Sequence, residues 1–255
     1  MLILVPPSES KRPPAASGDP VDFDSLSFPE LNPTRRRVAE ALMATSARSD
    51  AFERLHVGPS KAEDVARNTW LLELPAMPVV ELYTGPFHVG LDYAHLPPGA
   101  RERAQSSVVI LSALWGALRP SDRIPPYRLR LWSSLVGIDR LDQTWRAVLP
   151  PVLSEAAGDG LIVDLRSPES QQAGSANRSS DRMVVLRIDP GRPGRRTGDV
   201  VAKRTRGEAA HHLLESGEDP RDLSELAEIL SHRWDVAIDP PEREGKPWRL
   251  TLGIA

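Results

Sequence analysis

Short apolar runs closed by prolines, alternating with segments whose apolar residues recur every three or four positions, set the plan of this chain. Leu2-Ile3-Leu4-Val5 is uninterrupted and stops at Pro6-Pro7, which predicts a strand buried on both faces. Seven prolines between Pro6 and Pro33 exclude regular helix and central strand from the arm that follows. Asn32 reads as an N-cap with Pro33 at the first helical position, and Val38, Ala41, Leu42 and Thr45 then share one helical face. A short helix is predicted over 50–55. A third opens at Ser60-Lys61-Ala62-Glu63, which has capping-box spacing, and turns Val65, Thr69 and Leu72 inward.

Beyond residue 75 the pattern predicts strands over 78–83, 108–114, 127–132, 161–165, 183–188 and 200–203, and helices over 98–106, 141–157 and 205–216. Residues 115–120 read as a loop, and the polar runs 166–181 and 189–199 as surface loops. Strands and helices alternate irregularly and no internal repeat is present. The expected fold is therefore mixed α/β (α+β): a single compact domain over 1–255 around a central mixed sheet, with a helix-hairpin-helix-like segment at 34–74.

Composition narrows the function classes. The chain has 255 residues, 40% of them apolar and 26% charged, which suits a globular domain and excludes wholesale disorder. The longest apolar stretch, 108–118, is interrupted by Ser112 and Gly116 and is shorter than the roughly 20 residues of a bilayer span, so no membrane partner is expected. Residues 1–5 lack a positive leader and reach Pro6-Pro7 too soon for a signal peptide, and a chain with no cysteine is expected in the cytoplasm. Absence of cysteine excludes disulfides, thiolate catalysis and Cys-ligated metals. The six histidines contain no pair with ligand spacing, and His211-His212 face different sides of a helix, so neither metal nor cofactor is expected. No dinucleotide, Walker, nucleophile-elbow or paired-carboxylate motif occurs, so no catalytic residue is assigned and an enzymatic activity stays open.

A net charge of −3 gives no global attraction to nucleic acid, and any phosphate-binding surface must be local. The turn around Gly58, Ser60 and Lys61 joins two short helices. It is either a helix-hairpin-helix whose free N–H groups meet a phosphate or an ordinary corner in which Ser60 caps its own helix. Arg119, Arg123, Arg128 and Arg130 face only Asp122 within twelve residues, as either phosphate ligands or partners of acidic neighbours. Lys203-Arg204-Thr205-Arg206-Gly207 is expected to end a strand and open a helix, with Thr205 as cap. With Arg187, Arg192, Arg195 and Arg196 it forms the most basic region of the chain.

Several segments together resemble the YaaA-like peroxide-stress protein family. These are Met1-Leu-Ile-Leu-Val-Pro-Pro-Ser-Glu-Ser-Lys11, Tyr83-Thr-Gly85, Leu111-Ser-Ala-Leu-Trp-Gly-Ala-Leu-Arg-Pro120, Pro126-Tyr-Arg-Leu129 and Lys203-Arg-Thr-Arg-Gly207, in the family's order and over essentially the whole chain. The chain departs from the pattern at 191–198 and after Asp235. The resemblance implies a compact α/β protein of the bacterial cytoplasm, induced in peroxide stress, able to bind DNA and associated with keeping unincorporated iron low.

Two functional readings follow. In the first, duplex DNA is bound without sequence preference through Gly58, Ser60, Lys61, Arg119, Arg123, Arg128, Lys203, Arg204 and Arg206. In the second, Ser8, Lys11, Thr84, Gly85, Arg119, Lys203 and Arg206 converge from strand ends on a cleft for a nucleotide or another phosphorylated or anionic small molecule. The sequence assigns no oligomeric state.

Overall fold

The computed structural model describes residues 1–167, 171, 182–189, 198–243 and 245–254. Nine strands run in the order β1 (Leu2–Val5), β2 (Met77–Pro78), β3 (Val108–Ser112), β4 (Gly116–Leu118), β5 (Arg123–Ile124), β6 (Ile162–Asp164), β7 (Met183–Asp189), β8 (Asp235–Asp239) and β9 (Trp248–Gly253) among these residues. The α-helices are α1 (Asn32–Ser46), α2 (Ala51–Arg54), α3 (Ala62–Asn68), α4 (Val79–Leu82), α5 (Pro86–Leu91), α6 (Pro98–Ser107), α7 (Leu141–Ala157), α8 (Asp199–Ser216) and α9 (Leu223–Ser231).

Seven strands form one sheet in the order β4-β3-β1-β6-β7-β9-β8. Five are parallel, with Ile3 of β1 opposite Val108 of β3 and Leu2 opposite Ile162 of β6. The two edge strands, β4 and β8, are antiparallel. Every residue of β1 and β3 is buried, as the unbroken apolar runs require of strands covered on both faces. A separate two-residue ladder pairs β2 with β5. The mixed sheet of the expected fold is thus present, and so is a single core that runs from Leu2 to Leu252.

The structure corrects the expected course of four segments. Residues 78–83 are not a strand. After β2 the chain makes one helical turn, α4, in which Tyr83 N–H donates to the Val79 carbonyl (3.1 Å) and Val79, Leu82 and Tyr83 are buried. Residues 127–132 join no ladder and end in a turn at Leu131 and Trp132; Asn68 takes the place of a neighbouring strand, its Oδ1 accepting from Arg128 N (2.8 Å) and its Nδ2 donating to the Arg128 carbonyl (2.9 Å). The expected loop 115–120 contains β4, since Gly116 at φ 66° turns the chain back along β3. Residues 200–203 are the first turn of α8, so Lys203 lies inside a helix and Thr205 is buried on its inner face, not a cap.

The capping expectations change too. Leu31 holds the cap position of α1, and Asn32 is its first residue, donating from Nδ2 to the Phe23 carbonyl (2.8 Å) and accepting from Arg35 Nη1 (2.8 Å). Ser60 sits in a 3-10 turn, Pro59–Lys61, and caps nothing with its side chain, so the capping box does not form. The departing tail is structural: β9 lies between β7 and the edge strand β8. No helix among the described residues is long and apolar enough to cross a membrane.

Candidate functional site

From β1 the chain steps to β3 on one side and then to β6 on the other. Where winding reverses in a parallel sheet, the connections leaving the strand ends diverge and open a crevice. Here it is a cleft of about 390 Å³, within the usual range of small-molecule sites. Residues 6–11 enter it from β1, Ser112 and Ala113 from β3, and Leu165 and Ser167 from β6. The segment 127–132, the start of α5 and the first two turns of α8 close it.

Its floor is a chain of hydroxyls. Ser112 Oγ accepts from Leu114 N–H (3.2 Å) and Trp115 N–H (3.0 Å), which occupies both of its lone pairs. Its O–H therefore donates to Tyr127 Oη (2.7 Å), and Tyr127 donates on to Tyr83 Oη (2.8 Å). Burial pushes both phenols above their ordinary pKa, so both stay neutral. Against the rings lies Lys11, its Nζ 4.2 Å from the centroid of Tyr127 and 5.3 Å from that of Tyr83, donating to the Ser8 carbonyl at 2.6 Å. Burial, and then the charge of Arg128, pull the Lys11 ammonium down to about 7; Glu9 and Asp64 oppose them.

Two further groups are poised there. Ser8 Oγ accepts from Gly85 N–H (2.9 Å), and a Cβ at Gly85 would stand 2.4 Å from that oxygen, so glycine is what permits the contact. His88 lies 3.1 Å from the Pro6 carbonyl through Nε2, which must therefore carry the proton, and leaves Nδ1 buried without a partner. Burial lowers its pKa to about 4, helped by Lys11 and opposed by the Pro6 bond, so the imidazole is neutral.

The rim is cationic. Arg128, only 7% exposed, donates to Glu9 Oε2 (2.9 Å), and Arg130 donates to the same oxygen (3.2 Å) and to the His56 carbonyl (3.2 Å). Burial pushes the Glu9 carboxyl up, but the two guanidinium groups outweigh it and hold the pKa below the ordinary value. Arg128 Nε has no partner. Across the opening, Lys203 pairs with Asp199 one turn earlier (2.6 Å) and Arg206 donates to the Leu186 carbonyl (3.4 Å). Beneath, Asp164 and Arg166 form a bidentate pair (2.7 and 2.9 Å), both 1% exposed, at the end of β6.

Of the residues expected at a strand-end cleft, Ser8, Lys11, Gly85, Lys203 and Arg206 line this one. Thr84 is exposed beside it, and Arg119 is at the opposite end of β3, donating to the Val108 carbonyl (3.0 Å). The residues expected to contact DNA are dispersed. Arg128 lines the cleft, whereas Arg123 donates to the Ala76 carbonyl near β2 (2.8 Å) and Arg204 pairs with Glu208 (3.1 Å). Gly58, Ser60 and Lys61 are exposed at a corner that meets the rim through the Arg130–His56 bond. Arg192, Arg195 and Arg196 lie outside the described residues.

The sequence pattern gives no site role to Tyr83, His88, Ser112 or Tyr127, and places Glu9 only as a neighbour of Ser8 and Lys11 after the first strand. Tyr83, Ser112 and Tyr127 nevertheless stand inside the quoted Tyr-Thr-Gly, Leu-Ser-Ala and Pro-Tyr-Arg-Leu segments, where Thr84, Gly85 and Arg128 drew the attention.

Comparison with known proteins agrees with the resemblance. A family model described as peroxide stress protein YaaA matches residues 1–237. A UPF0246 protein of Streptomyces coelicolor is 37% identical over 99% of this chain and 98% of its own length. Others from Corynebacterium efficiens, 36% identical over the full length of both chains, and Corynebacterium glutamicum, 32% identical over 96% of this chain and 97% of its own, are similar throughout.

Proposed function

The chain belongs to the peroxide stress protein YaaA family, and we propose that it serves the cytoplasmic stress response by holding DNA through its phosphodiester backbone, without reading sequence. One observation carries this reading: five basic residues from three separate segments, Lys11, Arg128, Arg130, Lys203 and Arg206, line one opening against two carboxylates, Glu9 and Asp199, on a chain whose net charge is −3. Such a local surplus of cations faces phosphate, and guanidinium groups bind it with charge-assisted, bidentate geometry. A cleft of about 390 Å³ accommodates one nucleotide or a strand end, not a duplex, so duplex phosphates would ride on the rim at Arg130 and Lys203. DNA covered in this way is shielded from iron-generated oxidants, which would limit free-iron damage without the protein binding iron.

A second reading takes a free nucleotide or another phosphorylated small molecule as the substrate of an enzyme. What favours it is the enclosure of neutral, reactive groups, the Ser8 hydroxyl and the His88 imidazole, below the cationic rim.

Fluorescence anisotropy of a labelled duplex separates the two. Backbone binding predicts affinity that falls at least about tenfold between about 50 and 200 mM salt, as counterion release requires, and that weakens further in Arg130→Ala. Salt-independent binding, or none, overturns the DNA reading. Mononucleotide binding that duplex does not compete away selects the enzyme.

A further inference from the structure

We propose that Lys11 is an amine nucleophile that forms an imine with an aldehyde carried by a phosphate-bearing ligand in the cleft. The inference rests on the cleft as the ligand site but does not require the ligand to be DNA.

The environment of Lys11 is that of a reactive amine and not of a structural cation. Among the described residues its Nζ has no carboxylate partner; it donates to the Ser8 carbonyl, rests on the faces of Tyr83 and Tyr127, and has the cationic Arg128 as a neighbour. Lys203, on the opposite wall, shows the contrast, since it is paired with Asp199 at 2.6 Å. One N–H of Lys11 is committed to Ser8, which fixes the nitrogen in the cleft wall and leaves the lone pair of the neutral amine available. With its pKa pulled down to about 7, Lys11 offers that neutral amine to a substantial fraction of molecules at neutral pH.

The same cavity supplies a place for the phosphate. Arg128 keeps an unpartnered buried Nε beside Lys11, and Arg130 and Lys203 stand on either side of the opening. Amine and anion sites thus share about 390 Å³, the span of a sugar phosphate. Holding the phosphate in this way would bring a carbonyl on the same ligand to Nζ as an intramolecular neighbour.

The chemistry balances without a cofactor. The Nζ lone pair attacks the carbonyl carbon, a C–N bond forms, and a proton passes from nitrogen to the former carbonyl oxygen to give a carbinolamine. The C–O bond then breaks and the hydroxyl leaves as water, its second proton balanced by loss of the last proton on nitrogen, while nitrogen closes the C=N bond. One amine and one aldehyde become one imine and one water, with no change of oxidation state. Ser8, whose oxygen accepts from Gly85 N–H and whose own proton is free to donate, and neutral His88, whose Nδ1 is unpartnered, line the cleft as proton donor and acceptor.

The test reduces the imine in place. Full-length protein is incubated with cyanoborohydride and either a duplex carrying an abasic site, whose opened sugar is an aldehyde, or ribose 5-phosphate, and adducts are mapped by peptide mass spectrometry. Lys11, Lys61, Lys203, Lys246 and the Met1 α-amino group are the competing amines, and peptide mapping separates them. A single secondary-amine adduct on Lys11, absent in Lys11→Arg, is expected. Labelling by the duplex alone identifies DNA as the source of the aldehyde; labelling by ribose 5-phosphate alone identifies a free sugar phosphate. Adducts spread over the other lysines, or none on Lys11 in either arm, overturn the proposal. Intact-duplex anisotropy run in parallel on the wild-type protein keeps that failure distinct from failure of the DNA reading. Should Lys11→Arg not fold, the adduct position on the wild-type chain decides alone.

Discussion

Gly90 on α5 and Gly207 on α8 meet at a helix crossing that has no room for a methyl group. A Cβ on Gly90 would lie 2.1 Å from the Arg204 carbonyl oxygen, and one on Gly207 would lie 2.0 Å from the Phe87 carbonyl oxygen. Backbone packs on backbone here, and neither neighbour is a side chain that could turn aside. Because α5 brings His88 to the cleft and α8 brings Lys203 and Arg206, these two glycines set the distance between its walls.

Gly90→Ala and Gly207→Ala should therefore each destabilise the fold by about 1–3 kcal/mol or more, the range for overpacking a closed contact, and weaken ligand binding in the cleft. Thermal denaturation and anisotropy measure the two effects. A variant with unchanged melting temperature would show that the helices separate freely and that the crossing does not set the cleft width.

Arg35 should prove the most costly arginine to remove. It is fully buried and donates to the carbonyls of Trp115 (2.9 Å), Ala117 (2.6 Å) and Ser27 (2.8 Å) and to Asn32 Oδ1 (2.8 Å), tying the N-terminal arm and β4 to α1. Arg35→Met leaves those acceptors dry and unpaired, for an expected loss of about 3–5 kcal/mol in urea denaturation. Arg35→Lys should recover little of it, since an ammonium cannot span the four acceptors. A loss under about 1 kcal/mol, the range of surface changes, would contradict this role.

His88 should make the protein acid-labile in a defined window. Its folded pKa is lowered to about 4 from an ordinary 6.5, so the unfolded chain takes up the proton first as pH falls. The stability is complete above pH 6.5 and is lost progressively down to about pH 4, by about 3 kcal/mol over the whole window. In His88→Gln the decline of melting temperature across that interval should be shallower. Parallel curves for the two proteins would show that other groups carry the acid response.

Lys11 should cost stability at neutral pH. Its folded pKa of about 7 lies below the ordinary 10.5, so the unfolded chain binds the extra proton between those values and stability rises with pH from 7 to 10.5. Lys11→Met should raise the stability at pH 7 by about 1–2 kcal/mol after allowance for solvent at the cleft and should lack the alkaline gain. A variant less stable at pH 7 would mean that the tyrosine faces stabilise the ammonium more than burial penalises it.

Local pattern was sufficient where an element's own residues decide it. Leu2-Ile3-Leu4-Val5 can only be a strand covered on both faces, and the 3.6-residue recurrence of Val38, Leu42 and Thr45, or of Leu141, Trp145, Leu149 and Val152, defines a helix whatever packs on it. Five of the seven residues expected at strand ends, Ser8, Lys11, Gly85, Lys203 and Arg206, do line the cleft, but only Ser8 and Lys11 follow a strand; Gly85 follows the turn α4, and Lys203 and Arg206 lie in α8. Residues 127–132 and 78–83 carry strand-like pattern and are not strands, because a segment's backbone polar groups bond to whatever the fold presents: Asn68 in one case, the segment's own turn in the other. Arg119 and Arg128 are close in sequence, yet Arg119 follows β4 directly while the chain passes through β5 before Arg128, and their guanidinium groups stand at opposite ends of β3. The reactive character of the cleft had no local signal at all. Lys11 and His88 are ordinary residues until burial strips their solvent and distant segments arrive, Arg128, Tyr83 and Tyr127 around Lys11, and Pro6 and Lys11 beside His88. Desolvation and through-space charge depend on three-dimensional distance, which a linear pattern does not encode.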